Sequence, residues 1–238
     1  MNPISNKSTQ LLNLGLIDYQ RGWDYQTRLF DEILTTKKNN REKPGHEQLQ
    51  TPNYLITCEH PHVYTLGKSG NEKNLLIPTE RLTTIGATYV HTNRGGDITY
   101  HGPGQLVVYP VIDLENFFTD IHRYMRSLEE AVIQTLAIFG ITAGRSPGLT
   151  GVWLDANTHH RARKICAMGV KTSRWVTLHG LALNVNPDLS YFNYIVPCGI
   201  ENKAVTSMKH ELDRELPLAD VQKELVRQLA RIFEFDLC

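Results

Sequence analysis

Residues 151–185 read GVWLDANTHHRARKICAMGVKTSRWVTLHGLALNV. Four apolar runs, GVWL (151–154), ICAMGVK (165–171), WVTLHG (175–180) and LALNV (181–185), follow one another with no helix-length segment between them. The polar stretch 155–163 reads as a hairpin connection. Strands in succession, with no helix returning between them, predict antiparallel neighbours and disfavour a doubly wound sheet of βαβ units.

Outward from this block the pattern alternates between strands and separated helices. Upstream, LLNLGLI (11–17), YLITC (54–58), ATYVHT (87–92) and QLVVYPVIDL (105–114) read as strands. A helical stripe begins at Tyr19 and carries Trp23, Leu29, Phe30, Ile33 and Leu34 at three- and four-residue steps. A second runs from Ile121 to Phe139, with Thr119 or Asp120 to cap its start and Gly140 to end it. A third covers about Leu218 to Phe233, and Thr79–Ile85 reads as a short helix. Residues 36–51, TKKNNREKPGHEQLQT, are polar and contain Pro-Gly, so they read as an exposed loop. The expected fold is α+β: a mixed, mostly antiparallel sheet flanked by helices, in a single domain over 1–238, since no linker-like stretch divides the chain.

Composition narrows the function classes. With 25 basic and 25 acidic residues the formal net charge is zero, which argues against a nucleic-acid binder. No run approaches the ~20 apolar residues that span a bilayer, and the opening MNPISNKSTQ lacks the apolar core of a secretory signal. The expectation is a cytoplasmic protein that binds neither membrane nor nucleic acid. Its four cysteines, Cys58, Cys166, Cys198 and Cys238, are scattered and read as free thiols. The close histidine pairs, His60/His62 and His159/His160, match no zinc spacing, and no metal or cofactor is expected.

Three segments could carry chemistry. RGGDITYHGPG (94–104) holds four glycines in eleven residues, with Arg94, Asp97, Thr99, Tyr100 and His101 among them. It is neither a P-loop nor a dinucleotide fingerprint. It suits a loop that lines a pocket and lets backbone approach a ligand, and equally a glycine-rich hairpin whose polar residues face water. VPCGI (196–200) sets Cys198 between Pro197 and Gly199, on a turn where its sulfur can be reached; a buried thiol is the commoner fate of a lone cysteine. A reactive cysteine needs a neighbour that favours thiolate, and Lys164, Lys171, His179 and His101 are candidates. RKICAMGV (163–170), as a strand, would put Lys164, Cys166 and Met168 on one face and Ile165 and Ala167 on the other. Lys164 then points into a pocket or snorkels at an edge, and Cys166 is a rival nucleophile in an apolar setting.

Taken together, EHPHVYTLGK, RGGDITYHGPGQLVVYPV, GVWL, RKICAMGVK, WVTLHGLALNVN and VPCGI, in that order, resemble the lipoyl(octanoyl) transferase family over about Thr57 to Ile200. The resemblance implies the fold of the lipoate and biotin protein ligase catalytic domains. It implies a reaction that moves an octanoyl group from acyl carrier protein to a lysine of lipoyl-accepting domains, those of 2-oxoacid dehydrogenase complexes and of the glycine cleavage H protein. In this comparison Cys198 matches the cysteine that forms the acyl-thioester and Lys164 the lysine that lowers its pKa. The substrate site matches Arg94, Gly95, Gly96, Asp97, Ile98, Thr99, Tyr100 and His101, then Ala167, Met168 and Gly169, then Gly180, Leu181 and Ala182. Tyr100, Met168 and Leu181 are expected to line the acyl pocket. The chain departs from the family at Cys166, where a small non-thiol residue is usual, at His62, more often a second proline, and in the longer 36–51 loop. An ATP-dependent ligase on the same fold, a cysteine thioesterase and a non-catalytic carrier-binding module are the competing readings.

Overall fold

The computed structural model describes residues 6–158, 160–196 and 204–238. Strand β1 (Ser8–Leu16) leads into helix α1 (Tyr19–Asn40), followed by β2 (Tyr54–Glu59), β3 (Val63–Leu66), β4 (Thr88–His91), β5 (Ile98–His101) and β6 (Gln105–Val111). Helix α2 (Ile121–Ile138) precedes β7 (Val152–Leu154), β8 (Arg163–Ser173), β9 (Val176–Asn184) and β10 (Ala204–Val205). Helices α3 (Met208–Leu212) and α4 (Leu218–Phe233) and strand β11 (Asp236–Leu237) close the chain.

The main sheet runs β10-β8-β9-β6-β2-β1-β11, with β7 also paired to β8. The contiguous block β8-β9-β6-β2 is antiparallel, and parallel pairings are confined to its margins, β2 with β1, β1 with β11 and β8 with β10. This is the mixed, mostly antiparallel sheet the sequence predicts. One face is covered by α2 and α4, whose Leu128, Val132, Leu136, Leu225 and Leu229 bury against Leu106, Val108, Ile165 and Leu183. The other face takes α1, through Leu29, Phe30 and Ile33 against Ile56, Val107, Val111 and Leu178. A second sheet, β4-β3-β5, forms its own apolar cluster with Tyr64, Ile98 and Tyr100 beside the first.

The helix starts follow the expected chemistry. Asp18 Oδ1 accepts the Arg21 N–H at 3.0 Å, and Asp120 Oδ1 accepts the Arg123 N–H at 2.9 Å. The structure differs from the sequence expectation in three places. Helix α1 continues to Asn40, five residues into the segment read as loop. The reason is tertiary: Lys37 buries its stem and reaches Asp113 at 2.6 Å and Glu115 at 2.8 Å. Residues 41–50 are the exposed remainder, and Thr51 is buried against Asp113 at 3.0 Å. WVTLHG and LALNV are one strand, β9, with no turn at Gly180. There glycine serves close packing, since a Cβ would be driven into the Val108 carbonyl oxygen. Finally, the glycine-rich segment contains a short strand, β5, antiparallel to β3.

Among the described residues no helix is long and apolar enough to cross a membrane.

Candidate active site

A cleft of about 530 Å³ of empty space, part of it open to solvent, lies where the second sheet leans over the α1 face of the main sheet. Its floor is built from β8 and β9, where Ala167 pairs with Ala182, Met168 with Leu181 and Gly169 with Gly180. Small residues on this floor leave the trough open. A Cβ on Gly169 would come within 2.8 Å of the Gly95 carbonyl oxygen and 3.3 Å of the Arg94 side chain, closing the gap to the roof.

The roof is the segment of Arg94 to His101. Arg94 is buried, and its guanidinium donates to the Thr65 carbonyl at 2.6 Å and the Thr65 hydroxyl at 2.9 Å, pinning the segment to β3. The Gly95 N–H donates to the Val170 carbonyl at 3.0 Å, pinning it to β8. Asp97 is locked by the N–H groups of Asn71 and Ile98 and the amide of Asn74. Gly96, Asp97, Ile98, Thr99 and His101 face the cleft together with Arg94. Gly95 and Tyr100 do not. Strand alternation turns Tyr100 into the second sheet's own cluster, where its hydroxyl shares a 2.7 Å hydrogen bond with His62 and its ring stacks on Tyr191. Tyr100 therefore supports the roof from behind.

Lys164 stands at one end of the cleft, its ammonium 4.6 Å from the centre of the Trp153 ring. The expected alternation on β8 is broken by a register shift opposite Val152 and Trp153. As a result Lys164, Ala167 and Met168 all reach the cleft, while Cys166 turns into the main core and is fully buried. Burial pushes the Cys166 thiol far up, so it is a packed thiol and no rival nucleophile.

The histidines have defined protonation. The Gln105 amide donates to the Tyr100 carbonyl and to Asn184 Oδ1, so its oxygen must accept from His101 Nδ1–H at 2.7 Å. Burial, then the nearby His60, depress His101 to about 3. His179 is depressed to about 3 by burial, then by the charges of Arg94 and Lys171. Both imidazoles are neutral at ordinary pH and supply no cationic charge. The Lys171 ammonium sits 5.6 Å from the centre of the Phe30 ring, on the α1 side. Of the four cationic candidates read from the sequence, Lys164 is the lysine in the cleft.

Tyr19, Val107, Tyr109 and His179 also line the cleft and were not among the expected substrate residues. Tyr109 donates its hydroxyl to His60 Nε2 at 2.8 Å, and His60 Nδ1–H donates to the Ile17 carbonyl at 2.8 Å. The Tyr109 hydroxyl is thus paired behind the wall. QLVVYPV, with its β-strand alternation, signals Val107 and Tyr109 as same-face residues; nothing local signals Tyr19.

Cys198 lies outside the described residues, but the chain on either side of it is well placed. Val196 N–H donates to the Asn74 carbonyl at 2.8 Å, and Asn74 in turn holds Asp97 of the roof. On the other side β10 pairs with Arg163 and Lys164, and the Thr206 N–H donates to the Lys164 carbonyl at 2.9 Å. Among the described residues no three His, Cys, Asp or Glu side chains gather to hold a metal ion.

Residues 18–230 match the model of the lipoyl protein ligase A/B catalytic domain. An octanoyltransferase of Cytophaga hutchinsonii is 57% identical over 237 residues, covering 100% of this chain and 97% of its own. Among solved structures, lipoate-protein ligase A bound with ATP superposes with a TM-score of 0.68 at 19% identity, over 97% of this chain and 87% of that one. A lipoate protein ligase of T. acidophilum with bound lipoic acid gives 0.67 at 18% identity, over 97% and 88%. The architecture is therefore that of the lipoate-protein ligases.

Proposed function

The chain belongs to the lipoyl protein ligase A/B catalytic domain family, and from that premise we propose that it carries an octanoyl group as a thioester on Cys198 and passes it to a lysine of a lipoyl-accepting domain. Octanoyl transfer is the activity named for the 57%-identical relative that matches this chain end to end. The observation that carries the mechanistic reading is the pairing of Lys164 with an apolar trough, beside a segment whose two ends are tied to Asn74 and to Lys164 itself. Cys198 is two residues from Val196, so at most about 7 Å of chain separates their α-carbons.

The donor is octanoyl on the thiol of acyl carrier protein. The Cys198 thiolate attacks the thioester carbonyl, the Cys198 S–C bond forms, and the carrier's S–C bond breaks as that sulfur leaves and takes a proton. In the second step the lysine amine attacks, the amide C–N bond forms, and Cys198 leaves as thiolate. The first exchange swaps one thioester for another and is near balance; the second ends in an amide and is downhill. The balance needs no ATP.

Free cysteine titrates near ~8.5, so the thiolate has to be favoured. Lys164 is the positive group suited to this. It also suits the proton traffic, giving one to the departing carrier thiol and taking one from the incoming amine. Register supports a backbone donor for the oxyanion. Val170 turns its carbonyl to Gly95, and Cys166 pairs outward with β7, so Met168, between them, directs its N–H to the same outer edge. The octanoyl methylenes, at ~0.8 kcal/mol each, supply on the order of 4–5 kcal/mol of recognition in the apolar trough.

Intact-protein mass spectrometry after mixing with octanoyl–acyl carrier protein tests this. Wild type should gain a hydroxylamine-labile octanoyl mass that a lipoyl-domain acceptor discharges, and Cys198→Ser should not discharge through a thioester. ATP-dependent use of free octanoate that survives Cys198→Ala would overturn the thioester route in favour of a ligase.

A further inference from the structure

The cleft has two ends. Lys164 occupies one. Val170 lies six residues further along β8 and pairs with His179 on β9, which places His179 roughly 20 Å from Lys164 at about 3.3 Å per strand residue. Between them runs the floor of alanine and glycine. That span has to hold the Lys164 side chain, the thioester and the acyl chain in series.

His179 is fixed from three directions. Its main-chain N–H donates to Gln26 Oε1 of α1 at 3.1 Å, because Pro110, opposite it on β6, breaks the ladder there. Its Nε2–H donates to Asn93 Oδ1 at 2.8 Å, and its ring centre lies 5.9 Å from that of Trp23. The backbone at His179 is left-handed, with φ at 63°, in the middle of a strand. Non-glycine residues hold such a conformation only where their surroundings over-determine it, and these cluster at ligand clamps. The remaining ring nitrogen, Nδ1, is buried and has no hydrogen-bond partner among the described residues, although 99 parts in a hundred of the residue are shielded from solvent, its exposure being 1%.

We propose that His179 sets the length of the acyl group, its anchored imidazole forming the end wall of the trough. The inference rests on the octanoyl-transfer reading above. An acyl group that ends at the ring meets a fixed surface. A longer one has to swing the ring aside, which breaks the Asn93 hydrogen bond in a place closed to solvent. Asn93 and Gln26 hold His179 from outside the cleft's lining, so the wall discriminates by length and leaves the reacting end alone.

The test offers wild type and variants an equimolar mixture of hexanoyl-, octanoyl-, decanoyl- and dodecanoyl–acyl carrier protein and reads the mass of the adduct. Wild type should select octanoyl. His179→Gly, which suits the left-handed backbone, should raise the dodecanoyl-to-octanoyl ratio by about tenfold or more, the discrimination a hydrophobic pocket achieves per methylene being about 10–200-fold. Asn93→Ala, which frees the ring and leaves its backbone alone, should move the ratio the same way by less. His179→Gln should restore octanoyl preference. An unchanged ratio in Asn93→Ala and in a folded His179→Gly would sink the proposal while leaving octanoyl transfer standing. No adduct of any length on wild type would remove the transfer reading and this one with it.

Discussion

Lys164 carries its ammonium over the ring of Trp153, 4.6 Å from its centre, and the two residues are register partners on adjacent strands. The aromatic face orients the lysine at its end of the cleft. On the route proposed above, a positive group at that position favours a cysteine thiolate.

Lys164→Ala should therefore keep the fold and lose acylation at neutral pH. Each unit by which the thiol's pKa rises costs a factor of ten in thiolate below that pKa. Single-turnover acylation measured from pH 6 to 10 checks this: the variant should recover rate towards pH 9 as the free thiol ionises. Rates equal to wild type at pH 7 would take Lys164 out of the mechanism. Trp153→Leu should lose part of the same rate together with stability, since Trp153 both orients the ammonium and is one of the largest buried side chains.

Thiol labelling in the native state should report Cys238, which is exposed, and Cys198, and should spare Cys58 and Cys166, which are buried with thiols pushed far up by desolvation. Two equivalents should react with a thiol reagent before unfolding and four after. A Cys238→Ser variant should leave one fast site, and pre-acylation with octanoyl–acyl carrier protein should block it. Fast modification of Cys166 in the native protein would contradict its placement in the core.

Acid should destabilise the protein earlier than its carboxylates explain. His101 and His179 titrate near 3 in the folded chain and near 6.5 when unfolded. Between those values the unfolded state binds more protons, so the stability they contribute is complete above about pH 6.5 and is lost as pH falls towards 3. Glu130 and Glu211 are also depressed in the folded state, by hydrogen bonds from Gln134 and Arg163 respectively, but their contribution falls away only below the carboxylate range. Melting temperatures between pH 7 and 5 isolate the histidines. The curve should slope down with acid, and His179→Asn should make it shallower, with His101 still contributing; a level wild-type curve over that window refutes the assignment.

Glu129 is fully buried at the back of the same region. It accepts from Arg126 at 2.9 Å, from Arg145 at 3.0 Å and from the Gly151 N–H at 3.0 Å. Gly151 begins the turn into Trp153, and a Cβ there would lie 3.6 Å from Lys164 Cε. Glu129→Ala should cost about 3 kcal/mol in chemical denaturation, the lower end for a broken buried pair, because both arginines keep contact with water. It should also slow acylation more than a distant core substitution of equal cost. A loss under ~1 kcal/mol would mean the pair is solvated.

Much of the architecture is legible in the chain because its signals are local. The strand runs of 151–185, the stripes of α2 and α4 and the aspartate caps are all decided by neighbours in sequence. The cleft's floor and roof fall on the segments that the family resemblance implies, 94–101, 167–169 and 180–182, apart from Gly95 and Tyr100. What escaped depends on distant partners. Lys37 reads as loop because its polar company hides Asp113, 76 residues away. β5 reads as loop because four residues carry a strand only when β3 lies beside them. Tyr100 reads as a cleft residue until pairing with β3 fixes which way it faces. His179 reads in sequence as a candidate neighbour for a reactive cysteine; its burial as a neutral ring held by Gln26 and Asn93 is visible only in the folded chain.

The described chain on either side of 197–203 is tied into the fold, by the Asn74 carbonyl at Val196 and the Lys164 carbonyl at Thr206. Both ties meet the cleft, since Asn74 holds Asp97 of the roof and Lys164 lines the trough. On the thioester route proposed above, donor and acceptor share that one cleft and use it in turn. An excess of either should then slow the cycle by occupying the doorway when the other is due.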